Sequence, residues 1–143
     1  MELGTFGAVM AFASQAVTQS AEFYETVSER AKGPELKELL RILQDGANRD
    51  RATMEQTRRE NVTEMILEPI AGLRREEYEV RLSEMAPEAD AEILKTALLL
   101  EERDQRWFRD SSAKLPLPEV ARLFRKVARR KEGTILKLRA LTG

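Results

Sequence analysis

Two stretches decide the fold: PELKELLRIL at residues 34–43 and PEVARLFRKV at residues 118–127. Each opens on Pro-Glu and then places apolar side chains three and four positions apart. Proline is accepted in the first turn of a helix because its missing N–H would have been unpaired there anyway, and the spacing that follows buries one helical face. Pro118 lies 84 residues after Pro34 (118 − 34). At that offset the chain aligns with itself without a gap, Ala8–Thr57 against Glu92–Leu141. Val9-Met10 meets Ile93-Leu94, Ala13 meets Ala97, and Phe23-Tyr24 meets Trp107-Phe108. Leu39-Leu40-Arg41 meets Leu123-Phe124-Arg125, and Leu43 meets Val127. Amphipathic hairpins share apolar positions at many offsets. A shared Pro-Glu start together with a shared aromatic pair points to internal duplication.

Working outward, each Pro-Glu helix is preceded by another helix. Phe6, Val9, Met10, Ala13, Val17, Ser20, Ala21, Tyr24 and Val27 define an inward stripe that ends at Ala31-Lys32-Gly33. Leu36, Leu39, Leu40, Leu43, Ala47, Asp50 and Met54 carry the second helix, which is expected to continue to about Ile66 and stop at Glu68-Pro69. The third, from about Glu88, presents Leu94, Ala97, Leu98, Glu101, Asp104, Gln105 and Phe108. The fourth, from Pro118, presents Val120, Leu123, Phe124, Val127, Lys131, Thr134, Leu138 and Leu141. Residues 67–90 hold Pro69, Gly72 and Pro87, a length that suits a chain crossing a bundle, with a short helical turn at Arg74–Tyr78. The reading is one all-α domain, an antiparallel four-helix bundle: hairpin 1 at about 4–66, crossover 67–90, hairpin 2 at about 88–141. Each hairpin has one apolar face, and the two bury those faces on each other. Gly46 and Gly133 interrupt helical patterns. They mark either close helix approach or tolerated drift.

Composition excludes much chemistry. The 143 residues contain no Cys and no His. Disulfides, thiolate metal sites, cysteine nucleophiles and the commonest general base are therefore absent. Lys and Arg total 24 against 25 Asp and Glu, so no net field draws the chain to nucleic acid or a membrane surface. No stretch reaches the roughly 18 apolar residues of a spanning helix. The apolar run Leu3–Ala16 contains Ala11-Phe12-Ala13 but is preceded only by Glu2, unlike a cleaved leader with its positive start, so a cytoplasmic location is expected.

The aromatic pair, the short turn and the Pro-Glu-x-x-x-Leu-Leu opening, repeated, resemble the rubrerythrin branch of the ferritin-like superfamily over nearly the whole chain. That resemblance implies two irons held between the helices, by one Glu from the first helix of each hairpin and a Glu-x-x-His pair from the second. The corresponding positions here are Val17, Ala47 and Asp50 in hairpin 1, and Glu101, Lys131 and Thr134 in hairpin 2. Only Glu101 keeps the family's residue. The expectation is a degenerate site: no metal, no cofactor, and a buried polar centre of Asp50, Glu101, Lys131 and Thr134. Lys131 would take the metal's place by pairing with Glu101 and Asp50, or else run its stem along the core and reach solvent.

The leading expectation is thus a non-catalytic, homodimeric interaction or structural protein. An iron or manganese site using Asp50, Glu101 and Asp104 is the alternative, and a small molecule in the vacated central cavity is a second. Between Arg122 and Arg139 the only acid is Glu132, which reads as a solvated basic face rather than a nucleic-acid surface. Glu25, Glu29, Glu35 and Glu38, with acids in 55–64 and 84–92, read as exposed helix carboxylates rather than a surface metal site. Trp107 and Phe108 read as core rather than as pocket walls. No P-loop, dinucleotide fingerprint or nucleophile elbow is present.

Overall fold

The computed structural model describes residues 1–61 and 69–142. Four long helices, α1 (Phe6–Val27), α2 (Pro34–Glu60), α3 (Asp90–Ser112) and α4 (Pro118–Thr142), form an all-α bundle. The chief contacts lie within the two hairpins, α1 on α2 and α3 on α4, which then pack as α1 on α3 and α2 on α4. The α2–α4 seam is the thinnest of these.

Local chemistry sets the helix ends. Thr5 caps α1, its hydroxyl accepting from the Ala8 N–H at 3.0 Å. Pro34 occupies the first turn of α2, and α4 opens on Pro118. Asp90, the first residue of α3, accepts from the N–H groups of Lys32 and Gly33 at 2.9 and 2.8 Å, tying the start of the second hairpin to the turn of the first. Those backbone N–H groups hold its carboxyl below the ordinary aspartate range. Asn61 caps α2. The expected continuation to Ile66 and Glu68 of the Glu68-Pro69 stop fall on residues 62–68, outside the described residues.

From Pro69 to Ala89 the described part of the crossover holds a single helical turn, the 3₁₀ turn at Arg75–Glu77. It runs beside the chain's first residues: the Leu3 N–H donates to the Leu73 carbonyl at 2.7 Å, and the Ile70 N–H to the Gly4 carbonyl at 3.0 Å. Gly72 has φ +86°, a left-handed conformation that favours glycine. Tyr78 then plugs the outer side of α3. Its ring meets Trp107 edge-on at 5.1 Å and its hydroxyl donates to Asp110 at 2.6 Å.

The apolar core is divided. One cluster joins Phe6–Val17 of α1 to Met54, Trp107, Phe108 and Phe124; the other joins Ala21–Val27 to Leu36–Ala47, Ile93–Leu100 and Leu138. Between them, at the waist, every helix supplies a buried polar side chain: Ser20, Asp50, Glu101 with Asp104, and Lys131.

The inward stripes of α1 and α2 are buried as read. Those of α3 and α4 need correction. Leu98, Gln105, Leu123, Thr134 and Leu141 are only half-buried, whereas Leu100, Arg103 and Ile135 are buried. α3 is covered by the crossover as well as by α1 and α4, so its buried stripe extends to the Leu100–Arg103–Trp107 edge. Gly46 and Gly133 are not sites of close approach within the chain. A Cβ built on either meets nothing within 4 Å.

Candidate functional site

The waist is a cluster of ionic side chains centred on buried residues of three helices. Glu101, fully buried, stands on α3 with Asp104 one turn further on. Lys131 of α4, 3% exposed, donates from Nζ to Glu101 Oε2 at 2.7 Å. The same ammonium lies 3.8 Å from Asp50 Oδ2 and 3.9 Å from Asp104 Oδ2. Thr134 donates to Glu101 Oε1 at 3.0 Å. The sequence-derived set Asp50, Glu101, Lys131 and Thr134 therefore meets at one point, with the lysine inside rather than stretched to solvent.

Three further residues complete the cluster. Arg103, buried, donates from Nε to Asp104 Oδ1 at 2.6 Å and from its two terminal nitrogens to the backbone carbonyls of Tyr78 and Ala16. Ser20 donates to Asp104 Oδ2 at 2.8 Å across the α1–α3 seam. Arg130, 42% exposed, covers Asp50 Oδ2 from the rim. Lys131, Arg103 and Arg130 thus balance Glu101, Asp104 and Asp50. Sequence reasoning passed over Arg103 because the carbonyls that receive it belong to the aperiodic crossover and to α1. Its signal was the Leu100–Arg103–Trp107 spacing, which puts a guanidinium on an apolar edge beside Asp104.

Burial governs the electrostatics. It pushes the Glu101 carboxyl above the ordinary range, the negative charge of Asp104 adds to this, and Lys131 and Thr134 oppose it. Burial alone would discharge Lys131; Glu101, Asp104 and Asp50 together reverse this and hold the ammonium above the ordinary lysine range. Tyr24 is fully buried beside Glu101 with its hydroxyl unpaired among the described residues. Burial and then the charges of Glu101 and Asp104 hold that hydroxyl protonated well above the ordinary tyrosine range.

A di-iron or manganese centre does not fit these residues. Val17 and Ala47 carry no donor atom. Every carboxylate oxygen of Asp50, Glu101 and Asp104 except Asp50 Oδ1 already accepts a hydrogen bond. An ammonium occupies the point on which the three carboxylates converge, and a second cation there would be repelled by it. Among the described residues no group of three or more His, Cys, Asp or Glu is arranged to hold a metal.

Lys131, Glu101 and Thr134 bond to one another across the waist and fill the place between the helices where the resemblance puts the metal. Trp107 and Phe108 are fully buried, packed edge-on against Phe12 at 4.6 Å and Phe124 at 4.9 Å respectively. Glu25, Glu29, Glu35 and Glu38 are exposed. No helix among the described residues is long and apolar enough to cross a membrane. The site is a hydrogen-bonded, charge-compensated joint between the hairpins.

No family model, curated protein or solved structure matches this chain, so the likeness to ferritin-like bundles rests on its own residues.

Proposed function

We propose that the chain is a duplicated, ferritin-like bundle in which a lysine-centred ion cluster has replaced a di-iron centre, and that it works without catalysis as a homodimeric structural or interaction protein in the cytoplasm. One observation carries this reading: the Lys131 ammonium sits on Glu101 at 2.7 Å, within 4 Å of Asp50 and Asp104. The positions that the resemblance assigns to iron ligands are thereby occupied by a cation of the chain itself. A site emptied without replacement would leave buried carboxylates unpaired at a cost of several kcal/mol. The Ser20–Asp104 hydrogen bond also supports duplication, since it joins residues that match at the 84-residue offset.

Metal analysis of protein purified without chelator tests the proposal, followed by addition of Fe(II) in air. The expected result is metal far below stoichiometric and no ferroxidase absorbance. Near-stoichiometric iron, manganese or zinc would overturn it. Sedimentation over a range of protein concentrations tests the dimer, which a concentration-independent monomer would exclude.

A further inference from the structure

The α2–α4 seam leaves open a groove of about 350 Å³ whose floor is the Glu101–Lys131–Thr134 part of the waist. That volume lies within the range of small-molecule sites. Its walls carry Arg49 from α2 and Arg129, Arg130 and Lys137 from α4. Among the described residues, Arg49, Arg129 and Lys137 make no ion pair, while Arg130 is partly engaged by Asp50. The only carboxylate lining the groove is Glu101, whose charge Lys131 already compensates. The mouth therefore has a clear excess of positive charge.

The glycines give this groove its depth. Gly46 and Gly133 both line it, and a Cβ at either would meet nothing within 4 Å. Each helix thus does without a side chain at a position where the fold itself has room for one, and glycine is a poor helix former. At the 84-residue offset Gly46 matches Arg130 and Arg49 matches Gly133. Each wall therefore contributes one glycine and one arginine at corresponding places. The result is a slot with guanidinium groups along its edges and no side chain in its middle.

Guanidinium groups recognise phosphoryl oxygens by paired, charge-assisted hydrogen bonds. A monocarboxylate would leave most of these cations uncompensated. A second copy of this chain docked on the same face would bring like charges together. We propose that the α2–α4 groove binds a small phosphorylated ligand, its phosphoryl groups held by Arg49, Arg129 and Arg130 and its remainder lying over Gly46 and Gly133 against Ile42. This inference does not depend on the loss of a metal centre.

Isothermal titration of the full chain with inorganic pyrophosphate at constant ionic strength tests it, beside citrate and a single-stranded oligonucleotide. Pyrophosphate is expected to bind with Kd below about 1 mM and more tightly than citrate. Arg49→Gln and Arg129→Gln should each weaken it roughly tenfold. Gly133→Leu and Gly46→Leu fill the slot and leave every charge in place, and each should weaken binding at least as much, with the helical circular dichroism retained. The two are independent, so misfolding of one leaves the other as the test. Unchanged binding in the filled variants would overturn the proposal, as would citrate binding equal to pyrophosphate or no heat from pyrophosphate. Oligonucleotide binding that survives filling but not arginine removal, without pyrophosphate binding, would identify a nucleic-acid surface instead and also overturn it.

Discussion

The two hairpins meet at the waist with unequal chemistry. Hairpin 1 brings Val17, Ala47 and Asp50 to positions where hairpin 2 brings Glu101, Lys131 and Thr134. Hairpin 2 also supplies Arg103, Asp104 and Arg130, so its share of the cluster carries three cations against two carboxylates. The missing negative charge is Asp50, which reaches Arg130 and Lys131 from the other hairpin. Neutrality is therefore reached only when the hairpins close. That difference makes the waist a specific joint between the two halves of the molecule.

The difference predicts unequal penalties. Lys131→Met leaves Glu101 and Asp104 buried without their shared cation and should cost about 3–5 kcal/mol at neutral pH in urea unfolding. Glu101 already titrates above its ordinary value, so in this variant it should take up a proton in the folded state before the unfolded one does. The folded variant then binds more protons than the unfolded chain, and its stability rises as pH falls toward the ordinary glutamate range. Asp50→Asn should cost less, about 1–2 kcal/mol, because Lys131 keeps Glu101 and Arg130 reaches solvent. If the Asp50 penalty equalled that of Lys131, the inequality between hairpins would be wrong.

The alkaline limb sharpens the same point. The folded-state pKa of Lys131 is raised, so its contribution is fully present below the ordinary lysine range and is lost as pH rises through the higher folded value. The stability difference between the wild-type protein and Lys131→Met should stay level from neutrality to about pH 10 and shrink above it. The smallest effect concerns the glycines. Gly46→Ala and Gly133→Ala meet no neighbour and should each raise stability by about 0.5–1 kcal/mol, one in each hairpin. A loss at either would mean that close approach matters there after all.

Much of the fold was legible because helices announce themselves by period. The apolar stripes of α1 and α2, the proline starts at Pro34 and Pro118 and the length of the crossover all rest on local rules. Legibility failed where burial depends on a segment without period. The crossover covers Arg103 through the Tyr78 carbonyl, and nothing in α3 alone shows that its Leu100–Trp107 edge is capped. On α4, Ile135 turns inward and Thr134 sits at the rim, a one-residue rotation that an ideal stripe does not resolve. The waist was partly visible, since Asp50, Glu101 and Lys131 interrupt apolar faces. Its neutrality was not, because Arg130 lies on the outward side of its helix and reaches Asp50 around the rim.

The coupling between Lys131 and Glu101 is the bond on which the lysine-centred waist most directly depends. A double-mutant cycle of wild-type protein, Lys131→Met, Glu101→Gln and the double variant, followed by urea unfolding at neutral pH, measures that coupling. The predicted result is two costly single changes and a double variant far more stable than their sum, with a coupling of about 2–3 kcal/mol. Additive penalties, or a Lys131→Met protein as stable as the wild type at every pH, would contradict a lysine standing in the place of a metal.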